Sequence, residues 1–490
     1  MSPSTVPNPA KPTGRRRWLA FSAALIATMM NLLDATILNV AAPVIRDDLG
    51  GSYADLQWLT AAYTLTMAVG LLLGGGLGDL FGRKRMLLGG VAGFAAASAA
   101  CAAAPTVELL IAGRVVQAAF AAVMVPQVFG LLRDLFEPEE MGKAWAILGP
   151  VAGLSAMLGP VVSGVLIDGD PVGLGWRTVF LVNLPVAAYV VAVGARHLPD
   201  VAPAVGSRAL DLPGLVLAGL GTGGLVFPLV QGREQGWPAW TFAMLAGAVL
   251  VLTVFGRRQV ARRRAGRATL VEPSLFGNRA YVSGATFALL FLGTMGGIAL
   301  VLTGLLQLGL GFSPVAASLT CAPYALGGFL GSGVGGAFKE RVGRSFIHAG
   351  LVVMGTGLAG VAAVCAHAGT DLGAWDLALP LLVAGVGMGM VFVLLFDIIL
   401  GGVAPHEMGS ASGMLEAVQQ FGMALGVAIV GTVFFGLVEP GTAATASFVH
   451  AAEVAALLTV GLLAVAFALA FRLPRGAHAA SAGAAVAQPA

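Results

Sequence analysis

GGLGDLFGRKR, residues 75–85, returns later in the chain as GAFKERVGR, residues 336–344. Gly, an acidic residue, Gly and Arg stand at the same offsets: Gly75, Asp79, Gly82 and Arg83 in the first, Gly336, Glu340, Gly343 and Arg344 in the second. Each stretch is a short polar break that follows the second long apolar run of its half of the chain. Whatever is built around the first break is therefore built again around the second, and the chain reads as an internal repeat. The residue types suit one job. Gly permits a tight turn between helices, and a carboxylate such as Asp79 is suited to cap a helix N-terminus or to pair with an Arg across the interface between two bundles. Asp79, Arg83 and Lys84, with Glu340, Arg341 and Arg344 in the repeat, are thus candidates for a conformational latch.

Working outward, 490 residues at 58% hydrophobic and 10% charged, with mean hydropathy +0.89, have too little polar surface for a soluble globule. Lipid is the expected solvent, and the 70 Gly fit close helix packing within it. A bilayer core takes about 20 apolar residues per helix. That ruler marks fourteen spans, at 18–40, 56–77, 86–104, 109–132, 144–167, 179–195, 212–230, 239–255, 280–308, 315–338, 346–366, 377–401, 411–438 and 454–471. The expected fold class is an all-α polytopic membrane protein. Two six-helix bundles (18–200 and 280–473) flank an inserted helix pair (208–256) and a basic loop (257–279), with disordered ends at 1–17 and 474–490.

Of the 27 Lys and Arg, 23 fall on the side of the two termini; Arg46, Arg177 and Arg233 lie opposite, and Arg114 lies within the membrane. The positive-inside rule then makes both termini cytoplasmic. The seven basic residues in 257–279 read as a topology anchor touching anionic lipid, with no nucleic-acid partner. Cys101, Cys321 and Cys365 sit inside apolar runs without metal or disulfide spacing, and the His residues show no metal-ligand pattern. No GxxxxGK[ST] loop occurs, so no ATP site is expected and energy should come from an ion gradient. GSGVGG, 331–336, has no preceding strand and reads as helix packing, not as a dinucleotide loop. No catalytic constellation, metal or cofactor is expected.

Four further stretches carry a family resemblance. LLDATILNVAAP (32–43) holds Asp34, Thr36, Asn39 and Pro43; GRVVQAAFAA (113–122) holds Arg114 and Gln117 one helical turn apart. GPVAGLSAMLGPVVSG (149–164) holds Gly149, Gly153, Gly159, Pro160 and Gly164; ASGMLEAVQQFGMALGVA (411–428) lies in the thirteenth span. With the 75–85 motif, and with GWRTVFLVNLP (175–185), SLFGNR and GFSPVAASLTCAPYALG, they resemble the fourteen-helix drug:proton antiporter branch of the major facilitator superfamily over nearly the whole chain. Three positions depart from that pattern: Leu80 replaces a usual basic residue, Ser163 a common Gly, and Glu416 a neutral residue. The resemblance implies a secondary exporter of small amphipathic drugs, toxins or metabolites working by alternating access.

The residues suggest how. An ionised carboxylate in lipid costs several kcal/mol, so Asp34 must face protein or a water-filled cavity, where it is the leading candidate for proton coupling or else a paired residue that holds helices together. Arg114 lies at a depth that permits contact with Asp34 if their helices adjoin; the alternative is an Arg that snorkels to the headgroups. Glu416 reads as a second protonation site, a counter-charge for a cationic substrate, or a helix-start carboxylate favoured by the macrodipole. Asn39, Gln117, Gln307 and Gln419 are candidates for lining a substrate cavity. The rival readings are a proton-coupled importer or symporter on the same fold and a non-transporting membrane sensor. Arg outnumbers Lys 23 to 4, and Ala and Gly abound, which points to a GC-rich bacterial genome and so to a bacterial cell membrane as the location; protons, lipids and the substrate are the expected partners of a monomer.

Overall fold

In the computed structural model Gly82, at φ 91°, turns the chain between two helices, and Gly343, at φ 50°, does the same at the repeat. A side chain at either position would be strained, which is why glycine marks both motifs. The structure describes residues 14–137, 140–171, 173–200, 211–400, 403, 408–438 and 444–473, apart from certain side chains inside the helices. Among the described residues every regular element is helical.

The first half comprises α1 (Gly14–Leu49), α2 (Tyr53–Phe81), α3 (Arg83–Ala102), α4 (Val107–Leu135), α5 (Met141–Gly169), the short α6 (Thr178–Leu181) and α7 (Asn183–His197). α8 (Leu212–Glu234) and α9 (Ala239–Arg264) form the inserted pair. The second half comprises α10 (Arg279–Thr303), α11 (Pro314–Val342), α12 (Arg344–Ala368), α13 (Ala374–Leu400), α14 (Met408–Gly436) and α15 (Ala444–Ala470). Among the described residues thirteen stretches are long and apolar enough to span a bilayer, with α6 and α7 sharing one; α5 is the fourteenth helix, of which Leu158–Gly169 contributes a shorter apolar stretch. The protein is multi-pass.

The repeat seen in the motifs is repeated in the packing. In the first half α2 packs on α4, α1 on α5, α3 on α4, α1 on α7 and α3 on α7. In the second half the corresponding pairs are α11 on α13, α10 on α14, α12 on α13, α10 on α15 and α12 on α15. Two seams join the halves, α2 against α14 and α5 against α11, and they are counterparts under the same correspondence. α8 packs on α9 and also touches α2 and α14, so the inserted pair lies along one seam. Small residues make the close contacts possible. A Cβ on Gly331 would lie 2.0 Å from the Val386 carbonyl oxygen and one on Gly385 2.0 Å from that of Tyr324, so α11 and α13 meet backbone to backbone. Gly331, the first residue of the dinucleotide-like run, is therefore a packing residue.

Side-chain caps start several helices. Ser52 and Asp55 form a reciprocal capping box at α2, Thr106 caps α4, Asn278 caps α10, and Ser313 followed by Pro314 starts α11.

Three boundaries differ from expectation. Residues 14–17, expected in the disordered N-terminus, open α1: Arg17 ion-pairs with Glu140 at 2.5 Å and lies over the Phe136 ring. α1 also runs past residue 40 to Leu49, because its last turns carry Arg46, Asp47 and Asp48 beyond the apolar stretch. The basic loop expected at 257–279 is helical up to Arg264, and Pro273–Gly277 is a short 3-10 turn. Asp211 at the start of α8 explains this: it accepts from Arg258 at 2.9 Å and Gln259 at 2.9 Å and pairs with Arg262 at 3.3 Å, which fastens α9 to α8 beyond the apolar stretch. Residues 1–13 and 474–490 lie outside the described residues.

Candidate functional site

Asp34 stands on α1 with Asn31 one turn before it, and both side chains point into the first half; Asp34 is 1% exposed. α4 brings Arg114 and Gln117 to the same place, α3 brings Ser98, α2 brings Tyr63 and α7 brings Asn183, all buried. Arg114 Nη1 donates to Asp34 Oδ2 at 2.6 Å and to Gln117 Oε1 at 2.6 Å. Asp34 Oδ1 accepts from Gln117 Nε2 at 2.9 Å and from Asn183 Nδ2 at 2.7 Å. Ser98 Oγ accepts from the same two amides, at 2.7 and 3.1 Å. The Arg114 guanidinium lies 4.1 Å from the Tyr63 ring centroid, and Tyr63 donates to Asn31 Oδ1 at 2.9 Å.

This is a closed charge pair whose oxygens are held by neutral amides. Removing an ion from water costs several kcal/mol, so such a pair persists only with excellent geometry and further hydrogen bonds, which the amides and the aromatic face supply here. Arg114 thus points inward and does not snorkel. The helices adjoin, which was the condition for contact; Arg114 is seven residues from the start of α4, about 10 Å along the helix, whereas Asp34 is fifteen from the end of α1, about 22 Å. The extended α1 accounts for the difference.

Sequence reasoning had not singled out Asn31, Tyr63, Ser98 or Asn183. Asn31 carried a signal, since it lies three residues before Asp34 on the same helix face. Asn183 carried another, as an amide within an apolar span.

The other candidates are distributed as follows. Arg83 donates to Asp134 at 3.1 Å and to the Gly130 carbonyl, so it ties the start of α3 to the end of α4 within one half. Arg344 does not repeat this: it donates to the carbonyls of Phe471 and Leu473 at 2.7 and 3.0 Å and holds the end of α15. Lys84 is half-buried. The side chains of Asp79, Glu340, Arg341 and Asn39, and the positions of Gly75, Gly149 and Gly153 as packing sites, lie outside those described. Gly159 packs against α1, where a Cβ would lie 1.9 Å from Thr36 Oγ1. Gly164 packs against the second half, where a Cβ would lie 2.8 Å from the backbone of Val315. The Pro160 carbonyl accepts from Ser318 of α11 at 2.7 Å.

Gln307 is not with Asp34. It lies in a π-helical turn (Gly304–Gly309) and donates to the Val40 carbonyl at 2.9 Å, joining the halves. Glu416 is half-buried on α14 and accepts from Gln419 and Gln420 of its own helix at 3.0 and 3.4 Å. Among the described residues no ion-pair partner of Glu416 is found. The neighbouring Ala417 packs with the core of the first half, so Glu416 sits near the interface of the two halves.

Comparison with known proteins agrees with this architecture. The Major Facilitator Superfamily profile matches residues 24–427. The chain is 44% identical over 437 residues to a protein named probable actinorhodin transporter from Streptomyces coelicolor, covering 89% of this chain and 75% of that one. It is 34% identical to the puromycin resistance protein of Streptomyces alboniger, covering 94% and 91%, and 32% identical to the tetracenomycin C resistance and export protein of Streptomyces glaucescens, covering 87% and 77%. Among solved structures, a peptide transporter of the POT family superposes with TM-score 0.65 at 16% identity over 97% of this chain and 98% of that one, a likeness of fold. By the repeated six-helix halves, the motifs and these matches, the chain belongs to the Major Facilitator Superfamily.

Proposed function

We propose that this protein exports small amphipathic molecules, secreted metabolites or drugs, across a bacterial cell membrane in exchange for protons. The buried Asp34–Arg114 pair carries the coupling part of this reading, because it is an ionisable carboxylate inside the membrane-spanning region with a single opposite charge beside it. The export direction rests on the relatives named as transporters and resistance proteins of antibiotics. Both termini are cytoplasmic in this reading, by the distribution of basic residues. The moving bodies are residues 18–200 and 280–473, with 208–256 fastened along one seam.

The mechanism follows from the geometry. With Asp34 1% exposed and held by Arg114, Gln117 and Asn183, a proton reaches it only when the packing around α1 loosens. Protonation removes the negative charge that Arg114 neutralises, which frees the guanidinium and weakens the tie between α1 and α4. Substrate occupies the space between the halves, where Glu416 and Gln419 are candidate lining residues, and proton uptake and substrate release belong to opposite-facing states. Arg83 and Arg344 each tie helices within one half, so their part in the rigid-body motion is to keep each moving body intact.

The test is efflux from everted membrane vesicles under an imposed pH gradient, using a panel of dyes and antibiotics. Native protein should move at least one of them in a gradient-dependent way, and Asp34→Asn, inserted at equal levels, should lose gradient dependence. Unchanged coupled flux in Asp34→Asn would move the proton site elsewhere. Flux running into the cytoplasmic side under every gradient would support the importer alternative.

A further inference from the structure

The two seams that join the halves are bonded unevenly. At the end away from the basic residues three hydrogen bonds cross between halves: Gln307 to the Val40 carbonyl at 2.9 Å, Ser318 to the Pro160 carbonyl at 2.7 Å, and the Val315 N–H to Asp168 at 3.1 Å. Tyr53 of α2 also stacks on Phe435 of α14 at 4.7 Å. This end is shut.

Yet the α2–α14 seam also encloses a polar side chain with no protein partner among the described residues. On α2, Gln57 is 0% exposed and both its Nε2 and Oε1 lack a hydrogen bond. It faces α14, since a Cβ on Gly431 would lie 3.0 Å from its Cδ. Buried polar groups are nearly always bonded, and leaving one unbonded raises the free energy of the state that buries it.

We propose that Gln57 is a gate-release residue. The shut seam desolvates it without recompense, and parting the seam gives it water, so the side chain biases this end toward opening. It offsets the cross-seam bonds of Ser318, Gln307 and Asp168, which favour closure. The inference rests on the alternating-access reading, though its readout does not require transport.

The experiment measures the distance between spin labels at Asp47→Cys and His450→Cys, exposed positions on opposite halves at this end (side chains 59% and 61% exposed). Cys101, Cys321 and Cys365 are first replaced by Ala, and the protein is reconstituted in lipid. Gln57→Leu should raise the ratio of short to long separations by about tenfold, and Gln57→Met should raise it likewise. Ser318→Ala, which removes a satisfied cross-seam bond, should lower it. Gln57→Met, nearest to glutamine in length and without its polar amide, carries the test should Gln57→Leu fail to insert. An unchanged ratio in both variants, or a shift toward long separations, would overturn the proposal. Vesicle flux, measured separately, reports whether the exporter reading fails, and the label distances do not depend on that outcome.

Discussion

Arg114 is the largest of the fully buried side chains among the described residues, and its charge is tolerable only because Asp34 lies 2.6 Å away. Removing either partner leaves an uncompensated ion in a closed space. Asp34→Asn and Arg114→Leu should therefore each lower stability by about 3–5 kcal/mol, while the double variant should lose much less than the sum. Melting of the three purified proteins in detergent measures this. Additive losses would mean that the two side chains act independently, against the geometry. The pair itself was legible in the sequence, because a carboxylate and an Arg in two long apolar spans have few other ways to be satisfied. Its setting was not. Ser98 and Tyr63 are ordinary residues for a membrane helix, Asn183 stands out only as an amide in an apolar span, and the packing of α2, α3 and α7 around α1 and α4 is what shows that they close the shell. The departure at Glu416 was visible as a lone carboxylate, and the structure adds that its hydrogen-bond donors are amides of its own helix.

Among the elements, the inserted pair shows most clearly what hydropathy leaves out. Hydropathy ends the eighth span near residue 255, but α9 continues to Arg264 because Asp211 binds Arg258, Gln259 and Arg262 across the pair. That contact depends on one carboxylate 47 residues before Arg258, which no local pattern marks. Burial works to raise the Asp211 carboxyl. Hydrogen bonds from Arg258, Gln259 and the Gly214 N–H, with the charge of Arg262, outweigh it and leave the group below its ordinary value. A carboxylate depressed on folding contributes stability that is present above its ordinary range and lost as pH falls through the depressed value. Asp211→Asn should therefore cost about 2 kcal/mol at neutral pH, since the lost bonds are to a charged group. Melting temperatures of native and variant protein should converge as the pH is taken down through the carboxylate range. A constant gap at every pH would mean that the charge of Asp211 is immaterial and only its shape holds the pair.

For the whole molecule, the repeat of residues 75–85 in 336–344 carried the architecture, because a break repeated after the second span of each half implies two like bundles. Matching helix pairs in the two halves bear this out. Which faces meet across the halves was not legible, since glycines are spread through most spans and only some face the partner half. Gly164 is one that does. A Cβ there would lie 2.8 Å from both Cα and N of Val315, and these are backbone atoms at the start of α11 that a rotamer change cannot move aside. Gly164→Ala must therefore shift α5 and α11 apart, or distort one of them. The same displacement would loosen the Ser318 bond to Pro160 and the Asp168 contact with the Val315 N–H, which lie on the same seam. Overpacking of this kind costs about 1–3 kcal/mol, and it falls on the shut state of this end alone, because the parted state has no Val315 to meet. The short-to-long ratio between labels at Asp47→Cys and His450→Cys should fall by about tenfold or more, and coupled efflux should fall with it. Gln57→Leu should move the same ratio the other way. A Gly164→Ala protein with a native ratio would place the contact between α5 and α11 outside the moving seam, and the two halves would have to part along other helices.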